Sequence, residues 1–266
     1  MTNDPRAVLT RSAPPPARTE AYGPDPAQVY DVRLPSGAAR GATVVVVHGG
    51  FWQAEFDRAH AAGEAQAFAD DGFHVAVLEY RRVGMPGGGW PGTVEDVTAA
   101  LAAVRADAGL PSPMVLVGHS AGGHLVTWAA SQPWAHGLAG AVSLAGCVDL
   151  ALTARLHLGE DAAQSLMGGE PDAADEATDA AWAVADPARL SPAVPVVLLH
   201  GADDVTVPVE VSRSYEQRMR QPAGDQQHAQ VRLTVIPACE HFGLIDPEHP
   251  AFAEVRDAVR GLAGAR

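Results

Sequence analysis

Lysine is missing altogether: all 18 cationic side chains in the 266 residues are arginines. That removes any side-chain amine nucleophile and any Schiff-base chemistry. It also leaves Gly87-Gly88-Gly89 without the lysine that a phosphate-binding loop uses to reach its ligand. Positive charge is scarce in general. With 32 Asp and Glu residues the formal net charge is −14, which argues against nucleic acid and against an anionic membrane surface as partners. No apolar run approaches the roughly 18 residues of a membrane span. Cysteine occurs twice, at Cys147 and Cys239. Two cysteines make neither a disulfide framework nor a zinc set; they read as two separate buried thiols, with a single bridge between them left open. No metal and no cofactor is implied. The N-terminal stretch carries Pro14-Pro15-Pro16 and lacks the apolar core of a signal peptide. It predicts a flexible arm over residues 1–26 and a cytoplasmic protein, with a single domain over residues 27–266.

What is present is organised around residues 113–125. The apolar run Met114 to Val117 stops at Gly118-His119-Ser120-Ala121-Gly122, and a helical pattern begins straight after. Strand, sharp turn and helix follow one another, with a serine at the apex. The glycines two positions either side of Ser120 fit a turn so tight that a side chain there would meet neighbouring backbone. The helix N-terminus, with its free N–H groups, then lies beside the serine.

The rest of the chain alternates. Gln28 to Leu34 reads as an early strand. Ala42 to Val47 is a β-branched run too continuous for a half-exposed strand, so it predicts a central strand covered on both faces. A helix is expected over about 57–71, a strand over 74–79, and a helix from a Thr93 cap to about Asp107. Further strands are expected at 140–145, 195–199 and 231–236, and helices at about 209–220 and 252–262. This alternation predicts a mostly parallel sheet with helices on both faces. One segment breaks it. Between Asp149 and Pro192 there is no strand pattern, and residues 159–186 hold eight acidic side chains and no arginine. That excursion, about 149–192, predicts a small helical lid.

A serine hydroxyl needs a base, an acid to orient that base, and donors for the oxyanion. His241 follows the last strand and precedes the last helix, so it and Ser120 both sit at strand carboxyl ends, where the crevice of an open α/β sheet forms. His119 is expected to point elsewhere, His124 to be packed, and His48 to brace its loop. Asp203 and Asp204 both follow the strand ending at Leu199. Asp204, in Asp204-Val205-Thr206-Val207-Pro208, is taken as the orienting acid. Serine, aspartate and histidine then occur in the chain order expected of this architecture. Oxyanion donors are sought in the N–H of Ala121 and in the loop His48-Gly49-Gly50-Phe51-Trp52, from Gly50 or Phe51. Phe51, Trp52 and Trp90 are candidates for an aromatic substrate wall.

From about residue 27 to residue 263 these features resemble an α/β-hydrolase. His48-Gly49-Gly50-Phe51-Trp52 is similar to the His-Gly-Gly-x-Trp signature of kynurenine formamidases (arylformamidases). It departs from the His-Gly-Gly-Gly signature of hormone-sensitive-lipase-like esterases. The resemblance implies a serine hydrolase with Ser120 as nucleophile, Asp204 and His241 as its partners, and the Gly49-Gly50 loop as oxyanion site. Three activities follow as expectations. The first is hydrolysis of a small carboxylic ester, the second is deformylation of N-formyl-kynurenine or a related aryl amide, and the third is acyl transfer from the same acyl-enzyme. The partner in each case is a small ester or amide. Oligomeric state is not legible.

Overall fold

The computed structural model describes residues 4–220 and 230–264. Eight strands occur among them: β1 (Arg18–Ala21), β2 (Val29–Arg33), β3 (Thr43–Val47), β4 (His74–Leu78), β5 (Met114–His119), β6 (Gly140–Leu144), β7 (Val196–Gly201) and β8 (Val231–Ile236). They form one sheet in the order β1-β2-β4-β3-β5-β6-β7-β8. β1 and β2, and β2 and β4, pair antiparallel; every later pair is parallel. This is the architecture of the α/β-hydrolase fold.

The unbroken valine run of β3 is explained by this placement. Successive side chains on a strand face opposite ways, and both faces here are covered. Val45 and Val47 enter one apolar cluster with Leu116, Leu125 and Leu198, whereas Val44 and Val46 enter a second with Phe68, Phe73 and Phe252. All four valines are wholly buried. The helices that cover the sheet are α1 (Ala62–Asp70), α2 (Gly92–Ala106), α3 (Ala121–Ala130), α7 (Glu210–Met219) and α8 (Phe252–Gly264).

The excursion after β6 holds the other three, α4 (Leu150–Arg155), α5 (Leu158–Met167) and α6 (Glu176–Ala185). Asp149 caps α4 through the Leu152 N–H, and Asp186 holds the N–H groups of Leu150 and Ala151. These bonds tie the two ends of the excursion together. Its acidic side chains are mostly exposed, and Leu166 and Trp182 anchor it to the core.

Several local expectations change. The helix expected over 57–71 is a 3₁₀ turn at Arg58–Ala61, capped by Asp57, followed by α1. Thr93 does not cap α2. Its hydroxyl donates to the Arg81 carbonyl, and the helix opens at Gly92 behind Pro91. The larger departure is the N-terminal arm. Residues Pro5–Thr10 form a 3₁₀ turn capped by Asp4, with Val8 buried in the second cluster. Arg11 is ion-paired with Asp246 and Glu248, and β1 closes the sheet edge. One buried apolar side chain and one guanidinium shared between two carboxylates are enough to fix a short segment that has no periodic pattern of its own.

One buried group works against this fold. Glu64, in the first turn of α1, is buried, and its Oε2 has no hydrogen-bond partner among the described residues. Burial pushes its carboxyl up to about 8. A raised folded value for an acid means that the unfolded chain ionises first. The contribution to stability is therefore intact below about 4.5, falls as pH rises, and is fully lost above about 8. Glu64→Gln is expected to match the parent chain at pH 4.5. At pH 8.5 it should be more stable by about 2–4 kcal/mol, seen as a Tm gain that appears only on the alkaline side. An equal Tm difference at both pH values would contradict this.

Candidate active site

β5 ends in a backbone that only this sequence tolerates. A Cβ on Gly118 would lie 2.2 Å from the Gly122 carbonyl oxygen, and one on Gly122 would lie 2.0 Å from that of Val47. Both glycines are therefore demanded by close approach of backbone to backbone. Between them Ser120 takes φ +54° and ψ −117°, a conformation that non-glycine residues rarely occupy. The Ser120 N–H donates to the Leu144 carbonyl, and its own carbonyl accepts from His124 and Cys147. These three bonds hold the strained residue in place. Ala121 opens α3, so its N–H lies in the first turn and has no helical acceptor.

His241 lies in the loop between β8 and α8, and Asp204 in the loop after β7. The structure brings them together, with His241 Nδ1 at 2.6 Å from Asp204 Oδ2. The other carboxylate oxygen accepts the N–H groups of Thr206 and Val207 at 2.8 and 2.9 Å. His200 adds a further contact. Its Nε2 donates to the Val207 carbonyl at 2.8 Å and reaches Asp204 Oδ2 at 3.4 Å, while Nδ1 accepts from Ser212. Burial alone would raise the Asp204 carboxyl. The bonds from His200 and His241 outweigh it and hold the group well below the usual carboxylate range. Asp203 is exposed, and only its N–H is engaged, on the Cys239 carbonyl.

Ser120 and His241 line one cavity of about 220 Å³, together with Gly50, Phe51, Phe56, His60, His119, Thr206 and Phe242. Two further lining residues, Arg6 and Leu9, come from the N-terminal turn. Sequence reasoning missed both, because nothing local marks that turn as part of the site. His119 also departs from expectation. It faces the cavity rather than away, its ring tilted 50° to that of His241 at 4.5 Å, with Nε2 on the His241 carbonyl at 3.0 Å. Burial, then the neighbouring His241, lower it well below the usual histidine range, so it stays neutral. His124 is packed as expected, donating to the Ala185 carbonyl.

The loop after β3 is held from behind by a buried polar cluster. His48 Nδ1 lies 2.8 Å from the Gly49 carbonyl and Nε2 lies 3.0 Å from Glu79, which Arg82 and Arg58 also contact. Burial would raise Glu79, but these partners bring it down to about 2. Tyr80 donates to the His48 carbonyl and stacks on its ring. Gly50, Phe51 and Trp52 all take positive φ, at +107°, +49° and +57°. The N–H groups of Gly50 and Phe51 meet no acceptor among the described residues. Gly49 backs directly onto the serine, where a Cβ would sit 3.1 Å from that of Ser120.

The aromatic wall is not the one expected. Trp52 is wholly buried, edge-on to His124 behind the loop, and touches no part of the cavity. Trp90 packs on Trp128. Phe51, Phe56 and Phe242 form the wall instead. The 149–192 excursion contributes no lining residue. It meets the site indirectly, through the face of the Phe51 ring on Gly159. Cys147 and Cys239 are buried and unpaired. Among the described residues no group of three or more His, Cys, Asp or Glu is placed to hold a metal ion, and no helix is long and apolar enough to cross a membrane.

Comparison with known proteins agrees with the fold. Among solved structures, a truncated carbohydrate esterase from gut microbiota superposes with a TM-score of 0.71 at 20% identity, over 93% of this chain and 97% of its own. Esterase B from Lactobacillus rhamnosis gives a TM-score of 0.73 at 19% identity, over 97% and 89%. A curated relative from Oryza sativa subsp. japonica, named "Probable isoprenylcysteine alpha-carbonyl methylesterase", is 25% identical over 227 residues. That match covers 77% of this chain and 54% of the relative, so the chain spans about half the length of the curated relative it matches. The BD-FAE family model matches residues 30–219, from β2 through α7. This α/β-hydrolase-fold chain belongs to the BD-FAE family.

Proposed function

We propose that the chain is a serine esterase that cleaves a small carboxylic ester through an acyl-enzyme on Ser120. The observation that carries this reading is the shared cavity: Ser120 and His241 line it together, and Asp204 holds the far nitrogen of His241. Donation from Nδ1 to Asp204 leaves Nε2 as the acceptor nitrogen. His241 then removes the Ser120 proton as Oγ attacks the ester carbon, and Asp204 stabilises the imidazolium that forms. The tetrahedral oxyanion is met by the Ala121 N–H and by the Gly50 or Phe51 N–H. Collapse expels the alcohol, which takes its proton from His241. Water, activated by the same imidazole, releases the acid and restores the serine.

The names of the relatives, a methylesterase, a carbohydrate esterase and an esterase B, support ester over amide as substrate. A second reading, deformylation of an N-formyl aryl amine, is favoured by the phenylalanine wall, which would accept an aryl group. One assay separates the two. The ratio of kcat/KM for p-nitrophenyl acetate to that for N-formyl-kynurenine is expected to exceed about 10²-fold. From acetate to octanoate the ester rate is expected to fall about tenfold or more, because extra methylenes exceed a cavity of about 220 Å³. Deformylation faster than ester cleavage would transfer the site to the second reading. Activity on neither would remove both.

A further inference from the structure

The N-terminal turn places a cation at the mouth of this cavity. Arg6 is the one residue lining it that carries a fixed charge, and no aspartate or glutamate lines it. The chain has a net charge of −14, with 32 carboxylates for 18 arginines. Eleven other arginines meet a carboxylate side chain; the Arg6 guanidinium donates to nothing among the described residues. The acids beside the turn are already engaged. Asp4 accepts the Arg6 backbone N–H as helix cap, Glu240 accepts the N–H of Phe242, and Asp246 and Glu248 are held by Arg11. The turn itself is fixed, by Val8 in the core and by the Arg11 ion pairs on the other side. Arg6 is thus presented from a built support, and its side chain is exposed and free to reach a ligand.

We infer that Arg6 reads a carboxylate on the substrate, so that the esters this site prefers are those bearing a free acid group a few ångströms from the scissile bond. The inference rests on the esterase reading of Ser120 and narrows its substrate class. A guanidinium matches a carboxylate in planar, bidentate fashion. Around it the cavity offers phenylalanine rings and two histidines held neutral: His119, as above, and His60, lowered to about 4 by burial and then by His48 beside it. These surroundings screen the pair less than open water does.

The test compares release of the acetyl group from 4-acetoxybenzoate and from its methyl ester, in which one methyl removes that charge. In the parent chain kcat/KM is expected to favour the acid, and more so at low salt. Arg6→Gln should lower the acid-to-ester ratio about fivefold, and Arg6→Lys should restore part of it. A ratio that moves less than twofold in Arg6→Gln, or one insensitive to salt, would overturn the inference. A second arm does not depend on turnover. In the Ser120→Ala background, calorimetry with 4-acetamidobenzoate and its methyl ester is expected to show tighter binding of the acid, lost on adding Arg6→Gln. If neither ester is hydrolysed but this binding difference persists, the esterase reading fails and the role of Arg6 stands. Equal binding of the two compounds would reject Arg6 as the reader of the acid, whatever the turnover.

Discussion

Ser120→Ala is expected to reduce kcat/KM for p-nitrophenyl acetate by about 10⁴- to 10⁶-fold while leaving Tm within a few degrees of the parent. The size of the loss follows from the mechanism: without Oγ no acyl-enzyme forms, and only the oxyanion donors and binding remain to favour the reaction. The small effect on stability follows from the local structure. Ser120 is held by bonds from its backbone to Leu144, His124 and Cys147, none of which uses the hydroxyl. Alanine keeps the same β-carbon and so bears the same strain at φ +54°. Kinetics on the purified variant, with circular dichroism melts alongside, test both parts. Retention of more than about a hundredth of the parent rate would show that the hydrolysis does not pass through this serine.

The second large effect is expected at Asp204. Asn differs from Asp by one donor group, and the surrounding bonds dictate where that group goes. One oxygen already accepts the Thr206 and Val207 N–H groups, so an asparagine there keeps its carbonyl oxygen on them and turns its NH₂ towards His241 Nδ1. That nitrogen must then accept. The imidazole proton moves to Nε2, where it blocks abstraction of the serine proton. Asp204→Asn is therefore expected to lower kcat by about 10⁴-fold with little change in KM. Asp203→Asn, on the exposed neighbour, is expected to change kcat less than threefold. The comparison of the two variants in one ester assay decides between them. Equal losses would show that the loop after β7 acts as a unit and that its hydrogen-bond pattern does not select one acid.

How far these residues were legible in the sequence depends on how local their signals are. The valine run of β3 and the Gly118–Gly122 turn each write their demand into five consecutive residues, so the pattern is visible in the chain itself even though distant elements, Val47 beside Gly122 among them, impose it. Asp204 and His241 were readable because each follows a strand, and parallel strands deliver their carboxyl ends to one crevice. The N-terminal turn was not. Val8 and Leu9 are too short a signal to show periodicity, and the ion pair that fixes the segment joins Arg11 to Asp246, 235 residues away. Nothing in the sequence near Pro14-Pro15-Pro16 announces such a partner. Trp52 was misplaced for a related reason. The three successive positive φ values at Gly50, Phe51 and Trp52 send the indole inward and leave Phe51 to face the cavity. Only the fold decides which aromatic in such a loop is turned to substrate.

The two cysteines divide the molecule in a useful way. Cys147 belongs to the apolar cluster on one face of the sheet and Cys239 to the cluster on the other. Both are wholly buried, and burial pushes each thiol up to about 12. The native chain is thus silent towards maleimides and similar reagents, which need an accessible thiolate. Any labelling clocks an opening event, and peptide mapping assigns it to one face or the other. Without a single engineered residue, the chain carries two internal chronometers of its own unfolding. Their relative rates distinguish a sheet whose two coats peel off separately from one that lets go of both at once.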